Sequence, residues 1–188
     1  RHPAIPPEMV AAETDFHVVN VATNGISLGA HGNAVLVRDL DLVGDVKSMD
    51  LPGLEPRGAV SVDLNVGAGL RVIAAHLGLR RRDRLKQLAV LRAQTDGCAN
   101  AVIAGDFNEW SPVKGFTPLD ADFIVHAPGR TFHARRPIAA LDRFALTHQV
   151  GLRDAGVLQD GQAKMASDHL PIWADLDILF AEQHRHAR

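Results

Sequence analysis

The sequence predicts an α+β fold in which packed β-sheets are flanked by a few helices. Short β-branched segments outnumber segments with helical periodicity, and several of them follow one another without a helix between them. A length of 188 residues, with 46% hydrophobic and 22% charged residues, suits one domain around one sizeable core. The number of strand patterns, the scarcity of helices and the size of the chain together predict this class.

The clearest strand pattern covers residues 59–64, where apolar and polar side chains alternate as they do in a half-buried strand. Residues 65–69 contain the Asn and Gly of a hairpin turn, and residues 70–75 supply the returning strand. Residues 101–104 are apolar throughout and predict a buried strand. Further strands are expected at residues 16–21, 34–38, 143–146 and 170–176.

One substantial helix is expected at about residues 82–95, and Gly97 follows it as a stop signal. A weaker helical segment is expected at residues 7–13. The buried face of the longer helix is predicted from residues at helical spacing, which are Leu85, Leu88, Ala89 and Arg92, with Leu91 beside them.

Composition excludes some classes of protein. No apolar run reaches the ~20 residues of a membrane-spanning helix, and the Pro-rich start of the chain lacks the apolar core of a signal peptide. We therefore expect no membrane span and a cytoplasmic location. The single cysteine, Cys98, excludes an internal disulfide, and a structural role is favoured because no His or acid forms a recognisable pattern with it.

The net charge of −2 bears on possible partners. Proteins that bind nucleic acid through many phosphates usually carry a basic excess, which this chain lacks. Tight non-specific DNA binding is therefore disfavoured, although a local basic face stays open. The cluster of Arg80, Arg81, Arg82 and Arg84 is better explained as a solvated or packing face of the helix than as a phosphate site.

The most informative segment is Gly-Asp-Phe-Asn-Glu-Trp at residues 105–110, directly after the predicted buried strand. The end of a strand is a rigid place for reactive groups. Asp106 can ionise, Asn108 can both donate and accept hydrogen bonds, and their spacing lets both project to one side of an extended chain. A turn rich in Gly, Asp and Asn explains the same residues without any function, so both interpretations stay open.

A second segment, Ala-Ser-Asp-His-Leu-Pro at residues 166–171, stands before a predicted strand. Asp168 and His169 are adjacent and would share a site at a bend. A His held by a separate carboxylate is the usual general base at neutral pH, and Asp142 is the candidate carboxylate. Taken alone, Asp142 is better explained as a turn residue or as an ion-pair partner of Arg143, and a lone His76 at a strand end is more often structural.

Together these segments resemble the endonuclease/exonuclease/phosphatase family, which includes DNase I-like nucleases, abasic-site endonucleases, sphingomyelinases and inositol polyphosphate 5-phosphatases. The family's late motifs are a Thr-His-Leu-like strand end, Gly-Asp-Phe-Asn, an Ile-Asp-Arg-Ile-like strand and Ser-Asp-His-Leu-Pro. Here the corresponding residues are 75–77, 105–108, 141–144 and 167–171. Residues 32–38 resemble a weaker family motif. The resemblance covers residues 30–177 and implies a DNase I-like two-sheet β-sandwich flanked by helices.

The resemblance also implies catalytic roles. Asp106 would orient or deprotonate the attacking water, and Asn108 would bind the phosphoryl oxygens. His76 would contact the scissile phosphate. His169 would act as general base or transition-state stabiliser, with Asp142 fixing its imidazole.

A divalent metal ion is implied as well, held by Asp168 and Asp106. Mg²⁺ is expected because it favours carboxylates and waters, and Mn²⁺ could substitute for it. Such an ion suits phosphate-ester hydrolysis, which needs a positioned water and neutralisation of developing charge. Substrate contacts are expected from Asn33, Asn108 and His76.

The chain departs from the family pattern on its N-terminal side. Family members begin with a strand ending in Asn and later carry a Gln-Glu pair whose Glu binds the metal. Asn20 resembles the first only superficially, and Glu8 and Glu13 lie in a predicted helix without the preceding strand. We therefore expect residues 1–178 to form an N-terminally truncated domain and residues 179–188 to form a tail.

The expected truncation has two consequences. Exposed strand edges could be covered by a homodimer. Without the family's Glu, metal binding would be weak, and activity would be low unless an upstream segment were restored.

The predicted function is divalent-metal-dependent hydrolysis of phosphate esters, by a phosphodiesterase, nuclease or phosphatase. The rival is a catalytically inert domain of the same fold that acts as a binding module. The sequence leaves the substrate class open between nucleic acid, phospholipid head group and small phosphate ester.

Overall fold

The structure is a computed structural model that describes residues 6–21 and 31–178. Its helices are α1 (Pro7–Glu13), α2 (Arg81–Ala93) and α3 (Ala163–Ala166), with a 3₁₀ turn at Leu40–Leu42. Its strands are β1 (His17–Val18), β2 (Leu36–Val37), β3 (Val43–Leu51), β4 (Arg57–Leu64), β5 (Leu70–His76), β6 (Ala101–Asp106), β7 (Phe123–His126), β8 (Asp142–Thr147), β9 (Val150–Val157) and β10 (Ile172–Ile178). The predicted α+β class is confirmed. No helix in these ranges could span a membrane.

A six-stranded sheet lies at the centre, in the order β3-β4-β5-β6-β8-β7. The strands β5 and β6 are parallel and are connected through α2, whereas all other neighbours in this sheet are antiparallel. The remaining strands form two small antiparallel sheets, β1-β2 and β9-β10.

One face of the central sheet is covered by α2. Ile73, Ile103 and Ala145 are direct partners across β5, β6 and β8, so their side chains point to the same face. All three are fully buried and belong to one cluster with Leu88 and Leu91 of α2. Cys98 packs against this cluster, which agrees with a structural role.

The opposite face of the central sheet carries the two small sheets. Each packs through its own buried cluster, one at the β4 side and one at the β8 side. The first is built around Val19, Val21, Val60 and Val62, and the second around Val102, Leu146 and Val150. The predicted two-sheet sandwich is therefore present, and its second layer consists of the two small sheets.

Three strands, β3, β7 and β9, were not predicted from the sequence. In β3 the pairing register shifts between Val43 and Val46, so the period-two alternation that identifies a strand is interrupted. β9 contains Gly151 and Gly156, which are uncommon within strands, and β7 has only four residues. Conversely, β1 and β2 have two residues each and are much shorter than predicted.

The predicted buried face of α2 is partly wrong. Its buried residues are Arg84, Gln87, Leu88 and Leu91. The two polar residues lie inward because they hold neighbouring loops. The Gln87 side chain accepts a hydrogen bond from the Gly78 backbone N–H and donates one to the Pro52 carbonyl, at 2.8 and 3.0 Å. The predicted tail, residues 179–188, lies outside the described residues.

Candidate active site

The pairing of the central strands brings three predicted site residues into one row. His76 ends β5, Asp106 ends β6 and Asp142 begins β8, and the register pairs His76 with Asp106 and Asp106 with Asp142. Directly paired residues lie on the same face of a sheet, so the three side chains stand side by side. The distance from His76 Nε2 to Asp106 Oδ2 is 3.3 Å.

The segment before β10 adds His169 to this row. Its backbone is anchored to the segment around Phe132, because the Leu170 N–H donates to the Thr131 carbonyl at 3.0 Å and the Ala134 N–H donates to the Asp168 carbonyl at 2.7 Å. The His169 Nδ1 lies 2.7 Å from Asp142 Oδ2, and its Nε2 lies 3.7 Å from Asp106 Oδ2.

Asp142 is thus the partner of His169 and not of Arg143. The Arg143 guanidinium points to the other face of β8 and donates to the backbone carbonyls of Glu109 and Ser111, at 3.1 and 3.2 Å. Asp142 and Arg143 therefore do not form an ion pair, which had been one of the alternatives for Asp142.

Asn108 closes a turn and also lies beside the other site residues, so the turn interpretation and the site interpretation of its segment are compatible. Its backbone N–H donates to Asp106 Oδ1 at 2.8 Å, which closes a turn, and its backbone has a positive φ of 49°. Its side-chain Nδ2 donates to the Leu77 carbonyl at 2.8 Å, next to His76. The turn is the device that directs Asn108 toward the end of β5.

Gly105 permits the close approach of β5 and β6 directly before the row of site residues. Its φ is +138°, and a Cβ at this position would lie only 2.0 Å from the Ala75 carbonyl oxygen. A side chain would therefore collide with backbone and push the two strands apart where His76 and Asp106 meet.

A cleft of about 530 Å³ opens over these groups, and we call it the catalytic cleft after the role predicted for its residues. Its lining includes six predicted residues, which are His76, Asp106, Asn108, Asp142, Asp168 and His169. Asn33 does not line it. The Asn33 side chain donates to the Gly58 carbonyl of β4 at 2.9 Å, and its predicted substrate contact stays a prediction.

The surroundings of Asp106 favour its ionised form. Burial alone would raise the pKa of Asp106, but the hydrogen bond from His76, the bond from the Asn108 N–H and the nearby imidazoles of His76 and His169 hold this pKa below its usual value. Asp106 is therefore a carboxylate at neutral pH, able to accept hydrogen bonds or bind a cation.

The surroundings of His169 favour its protonated form. Burial alone would lower the pKa of His169, but the hydrogen bond to Asp142 and the charges of Asp142, Asp106 and Asp168 raise it above its usual value. An ionised carboxylate only accepts hydrogen bonds, so Nδ1 donates to Asp142, and in the neutral ring Nε2 is the nitrogen left bare toward Asp106.

Three groups at this site could share a cation. One ligand atom from each of Asp106, Asp142 and His169 lies within 4.8 Å of the others. The predicted pair was Asp168 with Asp106. Asp168 lines the same cleft and is exposed, but it is not part of this compact group.

Two aromatic residues of the catalytic cleft were given no role from sequence. Trp110 is 61% exposed and contacts Phe132 edge to face at 6.2 Å between ring centroids. The Phe132 ring lies 5.0 Å from the His169 ring. An exposed Trp directly after Gly-Asp-Phe-Asn-Glu was a signal that could have identified the first, whereas Phe132 joins the site only through tertiary pairing.

The loop that carries Asn108 and Trp110 is supported by a buried ion pair. Arg84 of α2 donates to Glu109 Oε2 at 2.8 Å, and the two side chains are 7% and 9% exposed. Arg84 also donates to the Leu79 carbonyl at 2.6 Å, beside the cleft. The packing role expected for Arg84 is thus present, but sequence alone did not indicate Glu109 as its partner.

The chain was compared with known protein families, with curated proteins and with solved structures. No family model matches the chain. The uncharacterized protein YbhP of Escherichia coli (strain K12) is 31% identical over 163 residues, covering 80% of this chain and 64% of YbhP. The chain therefore spans about 64% of the length of the curated relatives it matches.

Solved structures show the fold. An endonuclease/exonuclease/phosphatase of Bacteroides vulgatus has a TM-score of 0.70 at 17% identity, covering 91% of this chain and 79% of that one. A mannosyl-6-phosphatase of Bacteroides thetaiotaomicron VPI-5482 has a TM-score of 0.68 at 15% identity, with 90% and 80% covered. The chain has the fold of the endonuclease/exonuclease/phosphatase proteins, which confirms the resemblance at the level of structure.

Proposed function

We propose that the protein hydrolyses phosphate esters with the help of a divalent metal ion. The observation that carries the proposal is the pairing of His169 with Asp142 at 2.7 Å, next to the ionised Asp106, in one cleft. A base held by a carboxylate beside an acceptor for water is what hydrolysis of an ester requires. The fold neighbours include a phosphatase, which agrees with this chemistry.

His169 would take the proton of the attacking water. Its Nδ1 is occupied by Asp142, so proton uptake occurs at Nε2, which faces the cleft beside Asp106. Asp106 would orient the water through its carboxylate. His76, whose Nε2 also faces Asp106, and Asn108 would bind the phosphoryl oxygens as hydrogen-bond donors.

The donor set fits a hard cation. Asp106 and Asp168 offer carboxylate oxygens to the same cleft, which suits Mg²⁺ with its remaining waters and also Mn²⁺. Asp142 is engaged with His169 and is a weaker candidate. When bound, the ion would neutralise charge on the phosphate group.

The test is hydrolysis of bis(p-nitrophenyl) phosphate by the 188-residue chain. We expect slow turnover with Mg²⁺ or Mn²⁺, in line with the weak metal binding expected from the sequence, loss of turnover in EDTA, and loss in Asp106→Asn with an unchanged circular dichroism spectrum. The same rate in Asp106→Asn would reject the proposed site. If the chain cleaves no phosphate ester, the inert binding module becomes the better explanation.

A further inference from the structure

A second cleft, of about 410 Å³, lies next to the catalytic cleft. The two share Trp110 as a wall, and Ala140 of the second cleft directly precedes Leu141 and Asp142 of the first. A ligand in one can therefore continue past Trp110 into the other. We call the second the Arg130 cleft, and the lining residues used below are Trp110, Val125, Arg130, Ile138 and Arg143.

The Arg130 cleft stands at a locally basic segment. Residues 127–140 contain three exposed arginines, Arg130, Arg135 and Arg136, and no acidic residue. Within the described ranges, none of these three guanidinium groups has an ion pair or a hydrogen bond. Carboxylates do pair with five other arginines, which are Arg57, Arg71, Arg84, Arg92 and Arg153. Arg130 lines the cleft, and Arg135 and Arg136 are exposed on the same chain segment, in a chain whose net charge is −2.

Arg143 adds a fixed charge behind the wall of the Arg130 cleft. It is 3% exposed, it donates to two backbone carbonyls and stacks over Phe116 at 4.8 Å, and its Nε has no hydrogen-bond partner. A guanidinium stays charged even when buried. The Arg143 charge interacts with the Glu109 carboxylate, but that carboxylate is already paired with Arg84, so the Arg143 charge still favours an anion in the cleft.

The walls of the Arg130 cleft are otherwise apolar and aromatic. Ile138 and Trp110 are 60% and 61% exposed, and Val125 lines the interior. Exposed aromatic faces beside arginines are the usual surface for unpaired bases and their phosphates. A simple phosphate monoester has too few groups to occupy both clefts, and a phosphorylated inositol head group has several phosphates but no flat aromatic ring to pack on Trp110.

Building on the proposed function, we propose that the Arg130 cleft binds a phosphate adjacent to the scissile one and that the substrate class is single-stranded nucleic acid. The scissile phosphate lies at His169, a base or sugar packs on Trp110, and the next phosphate meets Arg130. The low net charge is compatible with this, because a short strand needs only a local basic face.

Binding can be tested without hydrolysis. The chain has two tryptophans, so Trp173→Phe leaves Trp110 as the only tryptophan reporter. Its fluorescence is titrated in EDTA with the tetranucleotide d(pT)4, with inorganic phosphate and with inositol hexakisphosphate. We expect saturable quenching by d(pT)4, and much weaker effects of the two comparison anions.

Variants in the same background locate the contact. Arg130→Ala should weaken d(pT)4 binding roughly three- to tenfold and reduce the slope of log K against log salt concentration by about 1. Lys47→Ala removes the same charge from an exposed position on β3, at the opposite edge of the central sheet from β7, and should change neither quantity. Arg130→Lys should restore part of the affinity.

Three outcomes would overturn the proposal. The first is that d(pT)4 does not quench Trp110 fluorescence, and the second is that Arg130→Ala and Lys47→Ala weaken d(pT)4 binding equally. The third is that inositol hexakisphosphate binds as tightly as d(pT)4 or more tightly. Hydrolysis of bis(p-nitrophenyl) phosphate by the wild type, which carries a single phosphate, tests the proposed function separately. Tetranucleotide binding without any hydrolysis would reject the catalytic proposal alone, and hydrolysis without tetranucleotide binding would reject this one alone.

Discussion

The hydrogen bond between Asp142 and His169 decides which imidazole nitrogen faces the catalytic cleft. In Asp142→Asn the side-chain amide can donate to Nδ1, which stabilises the tautomer with its proton on Nε2 and removes the base. We expect kcat for bis(p-nitrophenyl) phosphate to fall by roughly 10²–10⁴-fold with little change in KM. Asp154→Asn, on an exposed residue of β9, is the control and should retain the wild-type rate.

Gly105 has a structural requirement that can be measured separately from activity. Gly105→Ala places a methyl group against the Ala75 carbonyl at a positive φ and should destabilise the protein by about 3 kcal/mol or more. Gly97 also has a positive φ, of +79°, but has open space around it, so Gly97→Ala should cost only about 1 kcal/mol. Urea unfolding compares the two. Equal destabilisation would mean that backbone conformation alone, and not the contact with β5, explains the glycine.

Helix α2 supports the site through the Arg84–Glu109 ion pair. Burial alone would raise the pKa of Glu109, but the Ser111 N–H and Arg84 hold it below its usual value of 4.5. A carboxyl whose folded pKa is depressed contributes stability above its unfolded pKa and loses that contribution as the pH falls through the folded pKa. The fold should therefore lose stability in acid below about pH 4.5.

Glu109→Gln tests this link between the pair and acid sensitivity. At neutral pH it leaves the Arg84 charge buried without its partner and should cost about 3–5 kcal/mol. In acid the difference from the wild type should shrink, because the wild-type carboxyl is then protonated too. Glu13→Gln, on an exposed residue of α1, is the matched control. A difference between Glu109→Gln and wild type that does not vary with pH would contradict the assigned charge of Glu109.

The elements that sequence periodicity predicted correctly are those with a regular burial pattern. The strands β4, β5 and β6 lie in the interior of the central sheet, so apolar residues such as Val60, Ile73 and Ile103 mark them clearly. β3 and β7 are edge strands of that sheet, and β9 belongs to a two-stranded sheet, so their sequences are more polar or shorter.

The site residues were predictable for a different reason. Asp106, Asn108, Asp168 and His169 stand in two short motifs that a single sequence displays, and the structure places them in one cleft. Their chemical roles stay predictions. Glu109 and Phe132 could not be identified because their contacts join segments that only the folded chain brings together.

Self-association of the protein through strand edges stays a prediction. The described strands differ in how well their edges suit such pairing. Among the described strands, β3 lies at one edge of the central sheet and carries the exposed charges of Asp45, Lys47 and Asp50, which oppose edge-to-edge pairing. Within the described ranges, β10 pairs only with β9, and it includes Trp173, which is 42% exposed. We expect sedimentation equilibrium to detect a dimer that Trp173→Lys weakens and that Leu54→Lys, at another exposed apolar residue, does not. A monomer at every concentration would reject it.

The most direct test of the proposed chemistry is the rate of metal-dependent hydrolysis of bis(p-nitrophenyl) phosphate in two histidine variants. His169→Ala removes the base that Asp142 holds in the catalytic cleft, whereas His148→Ala removes an exposed imidazole that lies near the Ala121 carbonyl. We predict that His148→Ala keeps the wild-type rate and that His169→Ala lowers it by at least about 10²-fold. Equal rates in the two variants, with both folded, would contradict a hydrolytic site built on His169.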